Sequence, residues 1–157
     1  MIELVREKSE MGRVVVPARI ENFGDLWAVQ QGLKSPEEVR SVEVADALVD
    51  TGCTRLGLPK RLIEQLGLVL QQAARARTAA GYHETRIYDA VRLSVQGRFC
   101  LTDVFELPDD CPVLIGQVPL EILDFVVSPK EQKLIGNPEH GGEQMLEVYS
   151  YLKPDCE

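Results

Sequence analysis

The chain has 157 residues, and its 17 Lys and Arg stand against 25 Asp and Glu, which gives a formal net charge of −8. This is the length of one domain that can bury its own apolar core. No apolar stretch approaches the roughly 18 residues that span a bilayer. The only basic cluster, Arg75 and Arg77, is too small to draw an acidic chain to a polyanion. We therefore expect neither membrane spanning nor nucleic-acid binding.

The cysteines and histidines lack the spacing of a metal site. His83 and His140 are far apart, and neither belongs to a zinc-binding pattern with its neighbours. We predict no metal and no cofactor. Residues Met1–Glu10 contain no apolar signal core, so we expect a cytoplasmic protein with reduced thiols. The widely spaced cysteines are Cys53, Cys100, Cys111 and Cys156.

The first half of the chain alternates between strand patterns and turn signals. Apolar residues alternate from Arg13 to Asp25, which predicts a strand. A connector with a short helical turn at Ser35 and Pro36 follows over Leu26–Val39. The next strand begins at Ser41 and ends at Asp50. Pro59 then opens a short amphipathic helix, and Gly67 caps it.

The second half continues in the same way. It favours an extended segment, a hairpin, a short apolar strand, a second short helix and two final strands. Gly97 is the predicted hairpin turn, Pro119 the predicted helix start, and Ser128-Pro129 the last turn. Beyond Gly136 the sequence is typical of a tail. The extended segment is 69–80, the hairpin strands surround Gly97, and the apolar strand is 113–116.

These elements predict an all-β fold, a barrel or a sandwich, with two short helices. A loose repeat of apolar strand, Gly and Pro-opened helix occurs at Leu48–Leu66 and again at Val113–Leu123. We divide the chain into an N-terminal extension (1–12), one domain (13–138) and a C-terminal tail (139–157).

The strongest local signal is the sequence from Ala47 to Gly52, Ala-Leu-Val-Asp-Thr-Gly. It places the carboxylate of Asp50 at the end of an apolar strand, with a hydroxyl residue and a glycine after it. Gly52 permits either a positive φ or close approach of another chain. Taken alone, the tripeptide is more typical of an ordinary turn at a strand end.

In its wider context the sequence resembles the retropepsin-like aspartic protease family. The resemblance extends over Arg13–Pro138 and depends on two motifs in the right order, an Asp-Thr-Gly after apolar residues and a downstream apolar-apolar-Gly strand that leads into a helix. The matching residues are Ala47–Thr54, Leu58-Pro59, Leu62-Ile63, Leu66–Leu68, Val113–Gly116, Leu120, Leu123 and Asp124.

The resemblance implies one acid-protease lobe per chain and peptide hydrolysis by two aspartates that share one proton. Because the sequence has a single Asp-Thr-Gly, the second carboxylate must come from another subunit, so a homodimer with Asp50 in each subunit is expected. Thr51 and Gly52 would support the catalytic loop. A flap that binds the peptide substrate is expected at Ala79, Ala80, Gly81 and Tyr82, although a lone aromatic residue near a turn is more typical of packing than of substrate contact.

Two other functions remain open at this stage. The same fold can serve as a dimerisation or peptide-binding module with little turnover. A Cys53 nucleophile with a histidine base is weaker, since nothing in the sequence brings His83 or His140 to that thiol. Cys53 replaces the Ala or Ser usual in the family and is interpreted as a packing residue. The long connector Leu26–Val39 is expected to shape the cleft or to lie on the surface.

Overall fold

Nine strands and three short α-helices form residues 13–148, the part of the chain that this computed structural model describes. The extension at 1–12, the tail residues 149–157 and Cys156 lie outside the described residues. The strands are β1 (Val14–Asn22), β2 (Ser41–Val49), β3 (Leu56–Pro59), β4 (Leu70–Thr78), β5 (Gly81–Val95), β6 (Arg98–Leu107), β7 (Leu114–Ile115), β8 (Phe125–Ser128) and β9 (Lys133–Gly136). The helices are α1 (Phe23–Gln30), α2 (Lys60–Leu66) and α3 (Gln117–Leu123), with 3₁₀ turns at Pro36–Glu38 and Pro138–His140.

The main sheet closes on itself. Its strand order is β1-β2-β7-β3-β6-β5-β4, and β1 also pairs with the second half of β5. The first half of β5 pairs with β4 instead, so the β4–β5 hairpin extends beyond the closed part. Strands β8 and β9 form a separate hairpin. The prediction of an all-β, retropepsin-like fold is confirmed.

The core follows the alternation seen in the sequence. In β1, Val14, Val16, Ala18 and Ile20 are buried, while the intervening positions are exposed. Both α2 and α3 cover the core with their apolar stripes. The buried residues of these helices are Leu62, Ile63, Leu66, Pro119, Leu120 and Leu123.

The loose repeat corresponds to two equivalent helices. Each has seven residues and ends in a left-handed residue, Gly67 after α2 (φ 63°) and Asp124 after α3 (φ 59°). The start of α2 after Pro59 is as predicted. The prediction that Pro119 opens the second helix is wrong by two residues, because α3 begins at Gln117. The first amides of α3 bond to a neighbouring loop.

The sequence pattern predicts a connector over Leu26–Val39 and does not predict helix α1. Its buried side chains are Asp25 and Ala28, so no apolar stripe marks it. The Asp25 carboxylate accepts hydrogen bonds from Arg40 (2.8 Å from Nε) and Lys34 (2.8 Å), which hold its pKa well below the usual range. The connector is thereby anchored beside the end of α2, where the Arg40 guanidinium lies over Gly67.

The sheet has a second face, which we call the open face. Residues that are paired across β2, β7, β3, β6 and β5 form rows that run across the sheet. One row lies in the core and consists of Val49, Ile115, Leu56, Val104 and Tyr88. The adjacent row must point to the opposite side because side chains alternate along a strand. That open-face row is Leu48, Leu114, Gly57, Phe105 and Ile87.

The segment after β9 is exposed, as expected of a tail, but hydrogen bonds tie it to the end of α3. The Asp124 carboxylate accepts from His140 Nδ1 (2.6 Å), the Met145 amide (3.0 Å) and Asn137 Nδ2 (3.1 Å). The other ring nitrogen of His140 contacts the Glu147 carboxylate. These contacts raise the pKa of His140, with Glu147 the larger cause, and lower the pKa of Asp124 to about 2.

A stability difference with pH follows from the raised pKa of His140. A raised folded-state pKa contributes stability that is present below about pH 6.5 and is lost as the pH rises through the folded value. We expect the free energy of unfolding of the wild type to fall between pH 6 and pH 9 by more than that of His140→Gln. Urea denaturation at both pH values measures this, with His83→Gln, an exposed histidine, as the matched control. Equal losses in the wild type and His140→Gln would contradict the assignment.

Candidate active site

Asp50 directly follows β2 and is fixed by the parallel strand β7. Its amide donates to the Ile115 carbonyl (2.9 Å), and two residues earlier the Leu48 amide donates to the Val113 carbonyl (2.8 Å). The parallel pairing explains why β2 is apolar on both faces at its end. The backbone of Asp50 is therefore held by the sheet itself, while its side chain is half-exposed at the sheet's edge.

The turn after Asp50 folds around its carboxylate. Gly52 donates its amide to Oδ1 of Asp50 (3.0 Å), and the Cys53 amide donates to the Asp50 carbonyl (3.1 Å). Gly52 does not adopt a positive φ, so that part of the sequence interpretation is wrong. Among the described residues, a Cβ on Gly52 would meet only Asp50 Oδ1, at 3.2 Å, which is a tight contact with a side-chain atom.

The start of α3 holds the other side of the turn. The Gln117 amide donates to the Cys53 carbonyl (2.7 Å), the Val118 amide to the Thr54 carbonyl (2.9 Å) and the Gly116 amide to the Arg55 carbonyl (3.1 Å). These are amides that a helix leaves without internal partners. The loop carbonyls satisfy them, so the turn and the helix fix each other.

Gly116 allows this contact. A Cβ on Gly116 would lie 2.4 Å from the Arg55 carbonyl oxygen and 2.6 Å from that of Cys53, and both atoms belong to the backbone. No side chain can move aside to make room. The glycine of the apolar-apolar-Gly motif is thus explained by the close approach of two backbone segments.

Cys53 lies half-buried in the turn that follows Asp50. Its Sγ lies 3.4 Å from the Arg55 carbonyl oxygen. Burial, and to a lesser degree the charge of Asp50, raise the pKa of the thiol. A nucleophilic cysteine needs the opposite shift. His140 is bound by Asp124 and Glu147, which leaves the histidine-base hypothesis without support.

Thr51 is exposed beside the turn. Within residues 13–148 its hydroxyl has no hydrogen-bond partner. Thr51 and Gly52 therefore present polar backbone and side-chain groups to solvent next to the Asp50 carboxylate.

The expected flap residues lie together at the tip of the β4–β5 hairpin. Ala79 and Ala80 form the turn, which Thr78 closes by donating to the Gly81 carbonyl (3.0 Å) and accepting from the Ala80 amide (3.2 Å). Gly81 has a φ of 110°, a conformation that favours glycine. Between residues 13 and 148, no hydrogen bond joins this tip to the Asp50 turn.

Tyr82 points to the other side of the hairpin from the open face. Along β5 it shares parity with Tyr88 of the core row, whereas His83 shares parity with Ile87 of the open face. The Arg75 guanidinium stacks over the Tyr82 ring, 5.0 Å from its centroid. This arrangement agrees with packing as the role of Tyr82.

Sequence reasoning missed an ion pair beside the turn. Arg55 Nη1 lies 3.0 Å from Asp103 Oδ2, and both side chains are 45% exposed. Arg55 is only five residues from Asp50, but its partner is on β6 and no local pattern joins them. In contrast, a groove with a volume of about 510 Å³ lies around Lys60, Arg86 and Glu106 and does not include Asp50.

Other kinds of site find little support in the part of the chain that is described. No cluster of three His, Cys, Asp or Glu side chains there suits a metal ion. None of the helices within residues 13–148 is long and apolar enough to cross a bilayer.

A closed β-sheet that presents an Asp-Thr-Gly turn, held by an apolar-apolar-Gly strand and a short helix, defines a retropepsin-like aspartic protease lobe. Residues 38–138 match the family described as aspartyl protease, a span that includes the Asp50 turn, the hairpin, β7 and α3. The chain belongs to the aspartyl protease family. A search of curated proteins finds no match.

Substituting Gly116 tests the contact that holds the turn. Gly116→Ala places a methyl group against two backbone carbonyls, so we expect the free energy of unfolding to fall by about 1–3 kcal/mol, as for other overpacked sites. Chemical denaturation measures the change. Gly24→Ala is the control, because its Cβ would meet only the Asn22 side-chain oxygen, at 3.2 Å. Equal stability of the two variants would show that the close approach does not constrain the turn.

Proposed function

We propose that the protein is an aspartic endopeptidase that acts as a homodimer, with Asp50 of each subunit in one shared active site. The observation that carries the proposal is the Asp50 turn, a half-exposed carboxylate at a strand end whose backbone is fixed on both sides. The sequence contains one Asp-Thr-Gly, so a single chain supplies one such carboxylate. A two-fold axis beside the turn would supply the second.

The chemistry requires two carboxylates in different protonation states. Two aspartates about 3 Å apart cannot both ionise, so they share one proton. The ionised carboxylate removes a proton from a water molecule, which attacks the peptide carbonyl, while the protonated one donates to the carbonyl oxygen. Neither a metal nor a covalent intermediate is needed.

The residues after Asp50 suit a contact with the partner's turn. Thr51 is exposed, and its hydroxyl, which has no hydrogen-bond partner within residues 13–148, could hydrogen-bond across a two-fold axis. Gly52 has no side chain, and a Cβ there would meet only the Asp50 carboxylate oxygen among the described residues, so another chain could come close to its backbone. We assign Thr51 and Gly52 to support of the catalytic loop on these grounds.

The hairpin tip is suited to cover an extended peptide. Small residues at Ala79, Ala80 and Gly81 expose the backbone, and an extended substrate can pair with such backbone by strand addition. Because its side chain stacks with Arg75 on the other face, we assign Tyr82 to holding the hairpin's shape. A cytoplasmic location, and the absence of nucleic-acid partners, remain predictions from the sequence.

Replacing the carboxylate tests the assignment of Asp50. Asp50→Asn removes the general base, so we expect kcat/KM for peptide hydrolysis to fall at least about a hundredfold across the pH range. Binding of a statine-containing peptide, whose hydroxyl mimics the attacking water, should accompany activity in the wild type. Asp46→Asn, an exposed residue of β2, is the matched control. Hydrolysis that survives Asp50→Asn would refute the assignment.

Mixing subunits tests whether the active site is shared. In an equimolar mixture of wild type and Asp50→Asn that exchanges freely, about a quarter of the dimers carry two intact carboxylates. Activity should therefore fall to about a quarter of that of the same total amount of wild-type protein, and not to half. A fall to half would indicate that each subunit acts alone. A monomer in sedimentation experiments, without turnover, would favour the peptide-binding module.

A further inference from the structure

The ion pair between Arg55 and Asp103 lies in the same row of the open face as Asp50. Two residues from the open-face positions Leu48, Leu114 and Gly57 lie Asp50, Gly116 and Arg55, each one residue beyond the end of its strand, and two residues from Phe105 lies Asp103 of β6. The Asp50 amide donates to the Ile115 carbonyl, and Arg55 pairs with Asp103, so the alignment of the sheet continues to these positions. The amide-to-carbonyl bond from Gly116 to Arg55 continues the same ladder.

This alignment of the strands gives an approximate distance between Arg55 and Asp50, the proposed catalytic residue. Only Gly116 separates Asp50 from Arg55 across the strands, which corresponds to about 10 Å at ordinary strand spacing. An extended peptide advances about 3.3 Å per residue. Arg55 is thus placed to meet a substrate side chain two or three residues from the scissile bond.

The backbone of Arg55 is held by hydrogen bonds, since its carbonyl accepts from the Gly116 amide and from Cys53 Sγ. Among residues 13–148, the guanidinium makes one hydrogen bond, from Nη1 to Asp103, out of the five N–H groups that arginine offers. Ion pairs that remain about half exposed contribute little to stability.

Resting on the proposed function, we propose that Arg55, oriented by Asp103, forms a subsite that accepts an acidic side chain of the peptide substrate. The unused N–H groups form the planar fork that binds a carboxylate with two hydrogen bonds. Asp103 keeps the fork on the open face. A peptide that covers this face excludes water, which strengthens the attraction between the guanidinium and a substrate carboxylate.

A cation in this position also offsets the charge around it. The protein has a net charge of −8, and Asp50 and Asp103 lie in the same row. An acidic peptide is therefore repelled by the protein as a whole and needs a local donor to be selected. Arg55 is the cation of that row next to Asp103, while the register of β1 brings a second cation, Arg13, beside Asp50 at the other end.

The test compares peptides that differ in one charge. Peptides with Glu, Gln or Lys at each of the second and third positions on both sides of the scissile bond are compared by kcat/KM. We expect the wild type to prefer Glu over Gln by about tenfold at one of these positions. Arg55→Gln should abolish that preference, and Arg55→Lys should keep part of it. Asp103→Asn should increase it, because the amide oxygen can still accept the hydrogen bond that orients the guanidinium while the competing negative charge is removed.

The matched control is Arg77→Gln, which removes the same charge from the hairpin's other face. It should leave the preference for Glu unchanged. Urea denaturation of Arg55→Gln checks that folding is intact. Equal kcat/KM for Glu and Gln peptides in the wild type, or equal loss of preference in Arg55→Gln and Arg77→Gln, would overturn the proposal.

Binding separates this proposal from the proposed function. The same peptides, labelled with a fluorophore, are titrated with Asp50→Asn protein, and their affinities are measured by anisotropy. A preference for Glu in binding, lost in Asp50→Asn/Arg55→Gln, supports the subsite even if the wild type cleaves none of the peptides, in which case only the proteolytic function fails. Equal affinity for Glu and Gln peptides, with cleavage intact, overturns the subsite alone.

Discussion

The backbone at Gly116 approaches the loop from Cys53 to Arg55 more closely than any side chain would permit, and the geometry around Asp50 depends on this contact. Three amides at the start of α3 donate to the three loop carbonyls, while the Asp50 amide donates to Ile115 one residue earlier. These bonds satisfy donors that a helix start leaves open and at the same time fix a turn that would otherwise be mobile. In the homodimer that we propose, the Asp50 carboxylate would have to be held in this way, since a small displacement changes the interaction of two like charges.

The register of the closed sheet extends that constraint to the surroundings. The row that contains Asp50 continues through Gly116 to Arg55 and Asp103, so the position of the charged pair is set by backbone pairing and not by side-chain flexibility. The hairpin of β4 and β5 is different, because its tip has no hydrogen bond to the turn among residues 13–148. In the proposed function, an extended peptide would lie between the open face around Asp50 and the hairpin of β4 and β5.

Much of the fold could be predicted from local patterns. The strand ending at Val49, the helix between Pro59 and Gly67 and the hairpin around Gly97 each have a turn residue and a periodicity that agree. Helix α1 could not be found, because its buried side is Asp25, whose partners Lys34 and Arg40 are brought to it by the fold. The contacts of Asp124 with His140 and Met145 were missed for the same reason, since charged and polar residues after a last strand are typical of a tail.

By itself, the sequence determined that the chain is mostly β, that Asp50 ends a strand and that one chain has one Asp-Thr-Gly. Each of these properties depends on residues that are close in the sequence, through the alternation of apolar residues and the types of residue found in turns. Only the tertiary structure decided that the Gly52 amide bonds to Asp50 Oδ1, that Tyr82 and His83 face opposite sides, and that Arg55 and Asp103 form an ion pair beside the Asp50 turn. These depend on which strands become neighbours and in which register, and pairing between distant segments leaves no periodic trace in either one.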